Sequence, residues 1–176
     1  MNLSPGLIEE FNMKIVKKIT INKPADAIWK IIAHDFDKAY EWMGPIPHSY
    51  GIGTDKGVDG APMEGRICHL SNNPDGAKAK EMISYYSEKD MTLTFDISSI
   101  NVPAIVPLKR NQVTMQVTAM GSNQCEVTWI ARPQLKTPAY IVYPLLRMAL
   151  PMAFGKLLNG LKEFAEQPAS LSASAN

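Results

Sequence analysis

The stretch 137-TPAYIVYPLLRMALPMAFGKLLNGLKEFAE-166 decides how the rest of the chain is read. Thr137 is a capping type, and Pro138 falls where a helix's first turn has no use for an N–H. From Phe154 onward the stretch is amphipathic. Phe154, Leu157, Leu158, Leu161, Phe164 and Ala165 recur at helical spacing, while Lys156, Asn159, Lys162, Glu163 and Glu166 lie opposite. From Tyr140 to Leu150 the side chains are apolar nearly all round, which predicts a helix buried on most sides or facing a cavity. Pro144 and Pro151 each remove a backbone bond, so a kink or break is expected near each, and Pro168 marks the end. Unbroken, the element spans roughly 40 Å at about 1.5 Å per residue.

Most of what precedes it has a period of two. Met13, Ile15, Ile19 and Ile21 lie on one side of a first strand. Pro24 and Asp26 then open a short helix with Ile28, Trp29, Ile31 and Ile32 on its apolar face. A second short helix runs from Phe36 to Met43 and is closed by Gly44-Pro45-Ile46-Pro47. Strands are expected over Ser49–Ile52, Glu64–Leu70 and Ala77–Tyr86, the last two joined by the turn sequence Asn72-Asn73-Pro74-Asp75-Gly76. Residues 91–97, 113–119 and 125–131 alternate cleanly and read as half-buried antiparallel strands. The connection Ser98–Asn111 is unusually apolar. It suits either an irregular edge folded onto the core or an apolar lip over a pocket. The order is an α+β pattern in a single domain over 13–167, with an N-terminal extension 1–12 and a flexible tail 168–176.

The totals exclude several classes. A net charge of +1 gives no reason to expect nucleic acid or an anionic membrane as partner. The Tyr140–Phe154 run contains Arg147 and two prolines and falls short of the ~20 apolar residues a span needs, so stable membrane insertion is not expected. Cys68 and Cys125 form no framework of spacings and read as buried thiols. The start MNLSPGLIEEF lacks a signal-peptide pattern, which predicts a cytoplasmic protein. His34 and His69 have no partners at metal-ligand spacing, so no metal is expected. There is no P-loop, G-x-G-x-x-G or G-x-S-x-G, and no cofactor is expected.

Five segments together resemble the SRPBCC superfamily of START-like and birch-pollen-allergen-like proteins. KKITINKPADAIWKIIAHDF resembles its strand–helix opening. MEGRICHL and DGAKAKEMISYYSEKDMTLTFDI are similar to the arginine-bearing strand and the G-x-x-x-x-E strand of the polyketide cyclase/dehydrase-like branch. CEVTWIARPQL and GLKEFAE resemble the last strand and the end of the final helix. The likeness covers about Met13 to Glu166. The chain departs from the pattern in a longer hairpin between Arg66 and Glu81 and in the extra prolines of the final helix. The resemblance implies the helix-grip fold: a curved antiparallel sheet of about six to seven strands wrapped on a long C-terminal helix, with a cavity between them.

Such a cavity would be lined by Phe95, Ile97, Met115, Val117, Val127, Trp129 and the apolar first half of the helix, unless those side chains simply fill the space. Arg66 and Glu81 are the sharpest polar pair. If both point inward they can join as guanidinium and carboxylate. A glycine bulge at Gly76 would instead set Arg66 opposite Ser84, and a slip of one residue would move Glu81 to the other face, where a surface pair contributes roughly 0–1 kcal/mol. The resemblance favours both facing in. The candidate ligand-binding set is Trp42, His48, Arg66, Glu81, Tyr85, Phe95, Trp129 and Tyr143, with His48 and Glu81 as candidates for proton transfer. Two readings follow: a binding protein for a hydrophobic small molecule such as a lipid, quinone or polyketide-like compound, or a cyclase or dehydratase acting on one. The apolar Ile100–Leu108 stretch also leaves room for a homodimer.

Overall fold

The computed structural model describes residues 13–53, 57–103, 108–136 and 141–168. The first strand, β1 (Ile15–Ile21), keeps the alternation that predicted it, with Ile15 and Ile21 buried. Pro24, extended and so unable to continue a helix, precedes α1 (Ala25–Trp29); a turn of π-helix (Lys30–His34) and a 3₁₀ helix (Phe36–Glu41) follow. Ile28, Trp29, Ile32, Phe36 and Ala39 are the inward side of this helical segment.

Six strands then run as a meander: β2 (His48–Ile52), β3 (Gly65–His69), β4 (Lys78–Ser87), β5 (Thr92–Ile100), β6 (Leu108–Gly121) and β7 (Gln124–Leu135). With β1 paired to β7, the sheet has the order β1-β7-β6-β5-β4-β3-β2, antiparallel throughout. Its inner face presents Leu93, Phe95, Val113, Met115, Val127 and Trp129, all buried. Full burial of side chains of this size contributes about 1.5–3 kcal/mol each.

The long helix, α2, runs over Tyr143–Glu166. Its second half closes the fold. Leu158 and Leu161 are buried, Lys162 Nζ donates to Thr20 O at 2.8 Å, and Asn22 N donates to Glu166 Oε1 at 2.7 Å. Two expectations about this helix change. No break occurs at either proline: Pro144 stands in the first turn, where no N–H is needed, and the helix continues through Pro151. Nor is the first half buried on most sides. Only Tyr143, Leu146 and Leu150 pack partly against the core, while Leu145 and Met148 are 68% and 71% exposed.

The apolar connection is also shorter than expected, because β5 extends to Ile100 and β6 begins at Leu108. Its residues Ala104–Pro107, the helix-start residues Thr137, Pro138 and Tyr140, the extension 1–12 and the tail beyond Pro168 lie outside the described residues.

Candidate functional site

The sheet and α2 do not close on each other along their whole length. Between the second half of the helix, the segment Tyr40–Ile46 and the inner face of the sheet lies a cavity of about 840 Å³. Ala79, Ile97 and Trp129 form its sheet wall and Phe154, Leu157 and Phe164 its helix wall. Trp129 stacks on Phe154 at 5.8 Å between centroids, fixing the corner where the two walls meet. Gly160 sets how closely the helix approaches the opposite edge, since a Cβ there would stand 2.6 Å from Trp42 O. The exposed side chains Glu41, Lys156 and Glu163 border the opening.

One carboxylate reaches this apolar space. Arg66 and Glu81 face each other directly across β3 and β4, so the register with both residues inward is the one adopted. Gly65 permits the close pairing here: a Cβ would fall 2.1 Å from Glu81 O. Arg66 is 1% exposed and every strong contact it makes is internal. Its Nε donates to Glu81 Oε2 at 2.7 Å, its Nη2 lies 2.6 Å from the same oxygen, and its Nη1 donates to Phe36 O at 2.6 Å. The guanidinium carbon lies 3.9 Å from the Phe36 ring centre, a cation–π contact that also spares the cation from needing water. The hydrogen bond and the ion-pair contact to Glu81 both fall on one oxygen. Glu81 Oε1 therefore keeps its lone pairs without a hydrogen bond among the described residues, in a side chain that lines the cavity.

The candidate residues divide by position. Trp42, Glu81 and Trp129 line the cavity. Arg66 stands behind Glu81, and Phe95 packs beneath it at 5.2 Å from Phe36, within the core. Tyr143 lies near the start of α2, beside β1, along a different groove. His48 pairs across from His69 on the outer face of the sheet's edge, in a group of rings with Tyr40 and Tyr50. Tyr85 is 48% exposed for a definite reason: the register of β4 shifts between Ile83 and Tyr85, and this bulge reverses which residues face inward beyond it. Tyr86, not Tyr85, then sits opposite the buried Leu93. Tyr40, Ile46 and Ala79, which the sequence reading left aside, belong to the cavity wall. Phe154 and Leu157 were signalled by their helical spacing, whereas nothing local marked Ala79 or Gly160.

The cavity wall also holds two residues with orphaned donors. The indole N–H groups of Trp42 and Trp129 are buried with no hydrogen-bond partner among the described residues. Cys68 is a free buried thiol, and burial pushes its pKa up to about 12 despite the neighbouring Arg66. No group of three or more metal-ligating side chains occurs among the described residues, and no described helix is long and apolar enough to cross a membrane.

A second carboxylate cluster lies at the β4–β5 turn. Glu88 accepts from Trp29 Nε1 at 2.9 Å, contacts His34 Nε2 at 3.0 Å, and accepts from the Tyr86 hydroxyl. These bonds, the one from Tyr86 first, hold the Glu88 carboxyl down at about 2, while burial and the Glu88 contact raise the Tyr86 phenol.

Comparison with known proteins agrees with this geometry. The sequence model of a family described as polyketide cyclase / dehydrase and lipid transport matches residues 12–166. No curated protein sequence matches significantly. Among solved structures, a START superfamily protein from Mycobacterium smegmatis aligns over 88% of this chain and 97% of its own, with a TM-score of 0.69 and 12% identity. An aromatase/cyclase from a Streptomyces species aligns over 90% and 97%, with a TM-score of 0.68 and 9% identity. A norcoclaurine synthase from Thalictrum flavum aligns over 88% and 94%, with a TM-score of 0.60 and 15% identity. At these identities the structural likenesses establish the fold.

Proposed function

The chain belongs to the family described as polyketide cyclase / dehydrase and lipid transport, and from that premise we propose that its cavity binds a hydrophobic small molecule bearing a hydroxyl or phenol. The observation that carries this reading is the pairing of an apolar cavity of about 840 Å³ with one inward carboxylate whose Oε1 has no hydrogen-bond partner among the described residues. Small-molecule sites of about 300–1,000 Å³ combine apolar walls with a few placed polar groups. A ligand burying about 250 Å² of apolar surface at roughly 25 cal/mol per Å² gains ~6 kcal/mol before the costs of association. The bond to Glu81 Oε1 supplies orientation. Arg66 acts through Glu81 as a positioning residue: it compensates the buried charge and fixes the carboxylate plane.

A second reading, a cyclase or dehydratase, draws on the same oxygen. A carboxylate with a spare acceptor beside a bound carbonyl compound can take a proton from it. With His48 on the outer face, Glu81 would act without a histidine partner, so binding stands first.

The two readings and their failure are separable with 1-naphthol and naphthalene as probes. At ten times its dissociation constant, 1-naphthol raises the melting temperature by about 3–6 °C and perturbs tryptophan emission. Naphthalene does so more weakly, and Glu81→Gln narrows the difference. Ala153→Trp, an exposed helix position on the cavity wall, fills the space and abolishes both effects. Absence of any response in the wild-type chain, or an unchanged response in Ala153→Trp, overturns the cavity reading. Turnover of a carbonyl substrate lost in Glu81→Gln would instead select the enzyme.

A further inference from the structure

The outer face of the sheet, turned away from α2 and the cavity, carries a charge cluster that the fold leaves unanswered. Ile15, Ala131 and Val113 stand in one register row across β1, β7 and β6, and all three are buried on the inner side. Alternation therefore turns their neighbours Lys14, Arg132 and Gln112 outward. Gln112 pairs with Arg132, and Lys14, one step before the Ile15–Ala131 pair, falls opposite Arg132 from the other side. Two cations are thus set against each other across adjacent strands, an arrangement that destabilises a sheet. Farther along the same face a carboxylate answers the cation: Lys18 donates to Glu126 at 2.7 Å. The side chains of Lys14 and Arg132 have no ion pair or hydrogen bond among the described residues. A third cation stands on the next row. Arg110 lies opposite Gln134 and donates through Nη2 to Asp96 Oδ1 at 2.5 Å, to which Gln112 Nε2 also donates at 3.4 Å. The bond to Asp96 aims the Arg110 guanidinium and leaves its Nε and Nη1 unbonded among the described residues. Lys14, Arg110, Gln112, Arg132 and Gln134 line one groove of about 350 Å³. Asp96 offsets one of the three cations, so two positive charges stay uncompensated there.

We propose that this groove binds a soluble phosphorylated small molecule through its phosphate or diphosphate group. The planar fork of Arg132 matches two phosphate oxygens, and the Lys14 ammonium reaches the same group from the opposite strand. An anion between them turns their repulsion into a shared attraction. Directly opposed side chains start about 5 Å apart and diagonal ones about 7–8 Å. One phosphate therefore bridges Lys14 and Arg132, and a second reaches the free nitrogens of Arg110. The amides of Gln112 and Gln134 are placed to donate to the remaining oxygens. Two uncompensated positive charges match a phosphate dianion, whereas a lone carboxylate would leave one of them standing. The patch is also bounded. Val16 and Ile130 occupy the next row, and beyond them Lys18 is already paired with Glu126. A nucleic-acid backbone or an anionic bilayer needs a broader field of cations than this. The groove lies on the opposite face of the sheet from the cavity, and neither reading depends on the other.

Calorimetric titration of the full-length chain with inorganic pyrophosphate tests it. Glu9 and Glu10, which lie outside the described residues, are then present as competitors. Pyrophosphate binds saturably at about 0.05 M salt, inorganic phosphate binds more weakly, and about 0.5 M salt weakens both. At ten times its dissociation constant, pyrophosphate raises the melting temperature by about 3–6 °C. Lys14→Gln and Arg132→Gln each weaken binding about tenfold or more, the loss of one charged hydrogen bond. Arg132→Lys, which keeps the charge and loses the fork, falls between Arg132→Gln and wild type. Lys18→Gln makes the same change of charge on the same face outside the groove and leaves binding as it was. Without the anion, neither Lys14→Gln nor Arg132→Gln lowers the melting temperature, because each removes a repulsion. No saturable binding at about 1 mM pyrophosphate, on the scale of a weak ligand, overturns the proposal. So does equal weakening by Lys18→Gln, which would assign the effect to diffuse charge. A chain that ignores pyrophosphate but floats with phosphatidylglycerol vesicles, or retains an oligonucleotide, would assign the face to a polyanion and overturn it too. The 1-naphthol response is unchanged in Lys14→Gln with Arg132→Gln, so the groove and the cavity fail separately.

Discussion

Glu81 and Glu88 stand toward opposite ends of the same strand region, and each ties the sheet to the helical segment between Ala25 and Glu41. Glu81 does so through Arg66, which reaches Phe36 O; Glu88 does so directly, by accepting from Trp29 and contacting His34. The likeness stops there. Glu81 is buried, paired with one cation, lines a cavity, and keeps one oxygen without a hydrogen bond among the described residues. Glu88 is more than half exposed and its oxygens are engaged from several sides. A carboxylate whose bonds are all spent within the protein is a clasp. One that is held in place with acceptor capacity left over can serve a guest. The difference lies in the partner geometry, not in the residue type.

The sharpest way to break the contrast is to remove Arg66. Arg66→Met removes the cation that compensates Glu81 in an apolar site, and breaking a buried pair from one side costs about 3–5 kcal/mol. Urea denaturation should show a loss of that size. Arg66→Met with Glu81→Leu removes both charges and recovers most of it, while the preference for naphthol over naphthalene disappears. Should the single variant lose less than about 1 kcal/mol, the pair behaves as a surface ion pair and the contrast with Glu88 fails.

Glu88 gives a smaller effect with a definite pH window. Its folded-state pKa of about 2 lies below the ordinary 4.5, so the folded chain favours the carboxylate. The resulting stability is fully present above pH 4.5 and is lost as the pH falls through that value toward 2. The side chain is 56% exposed, and solvent screening limits the contribution to about 1 kcal/mol. Glu88→Gln should therefore flatten the acid limb of the stability curve below pH 4.5 and leave the naphthol response intact. An acid limb identical to wild type would remove Glu88 from the account.

What could be read in advance follows from the range over which each feature is encoded. The strands β5, β6 and β7 carry their own two-residue period, and α2's second half its own apolar face, so the architecture was legible locally. The inward placement of Arg66 was not, because turn chemistry at Gly76 allowed another register; the pairing of Arg66 with Glu81 settles it across strands. Glu81 was visible as a candidate, but not that Arg66 Nε and Nη2 both contact the same oxygen, Oε2. The first half of α2 misled for a different reason. Apolar composition predicts burial only when a partner surface exists, and the described residues supply none beside Leu145 and Met148.

The smallest expected effect probes the bulge that separates the two carboxylates. Strict alternation from Glu81 would turn Tyr85 inward and Tyr86 outward. The register shift after Ile83 reverses this, leaving Tyr85 in solvent and placing Tyr86 over Trp29, at 5.6 Å between ring centres, with its hydroxyl on Glu88. Removing one hydroxyl at each position reads the parity without disturbing the packing. Tyr86→Phe should cost about 0.5–1 kcal/mol, the worth of one hydrogen bond. It should also let the Glu88 pKa rise from about 2 toward 4.5, because the bond from Tyr86 is the first of the causes holding it down. Tyr85→Phe should change stability by less than about 0.5 kcal/mol and leave that titration where it was. The reverse outcome would mean that β4 runs without its bulge. Even then Glu81 would keep its orientation, since it precedes the shift and is held by its pairing with Arg66, so the clasp and the cavity anchor can be tested independently on one strand.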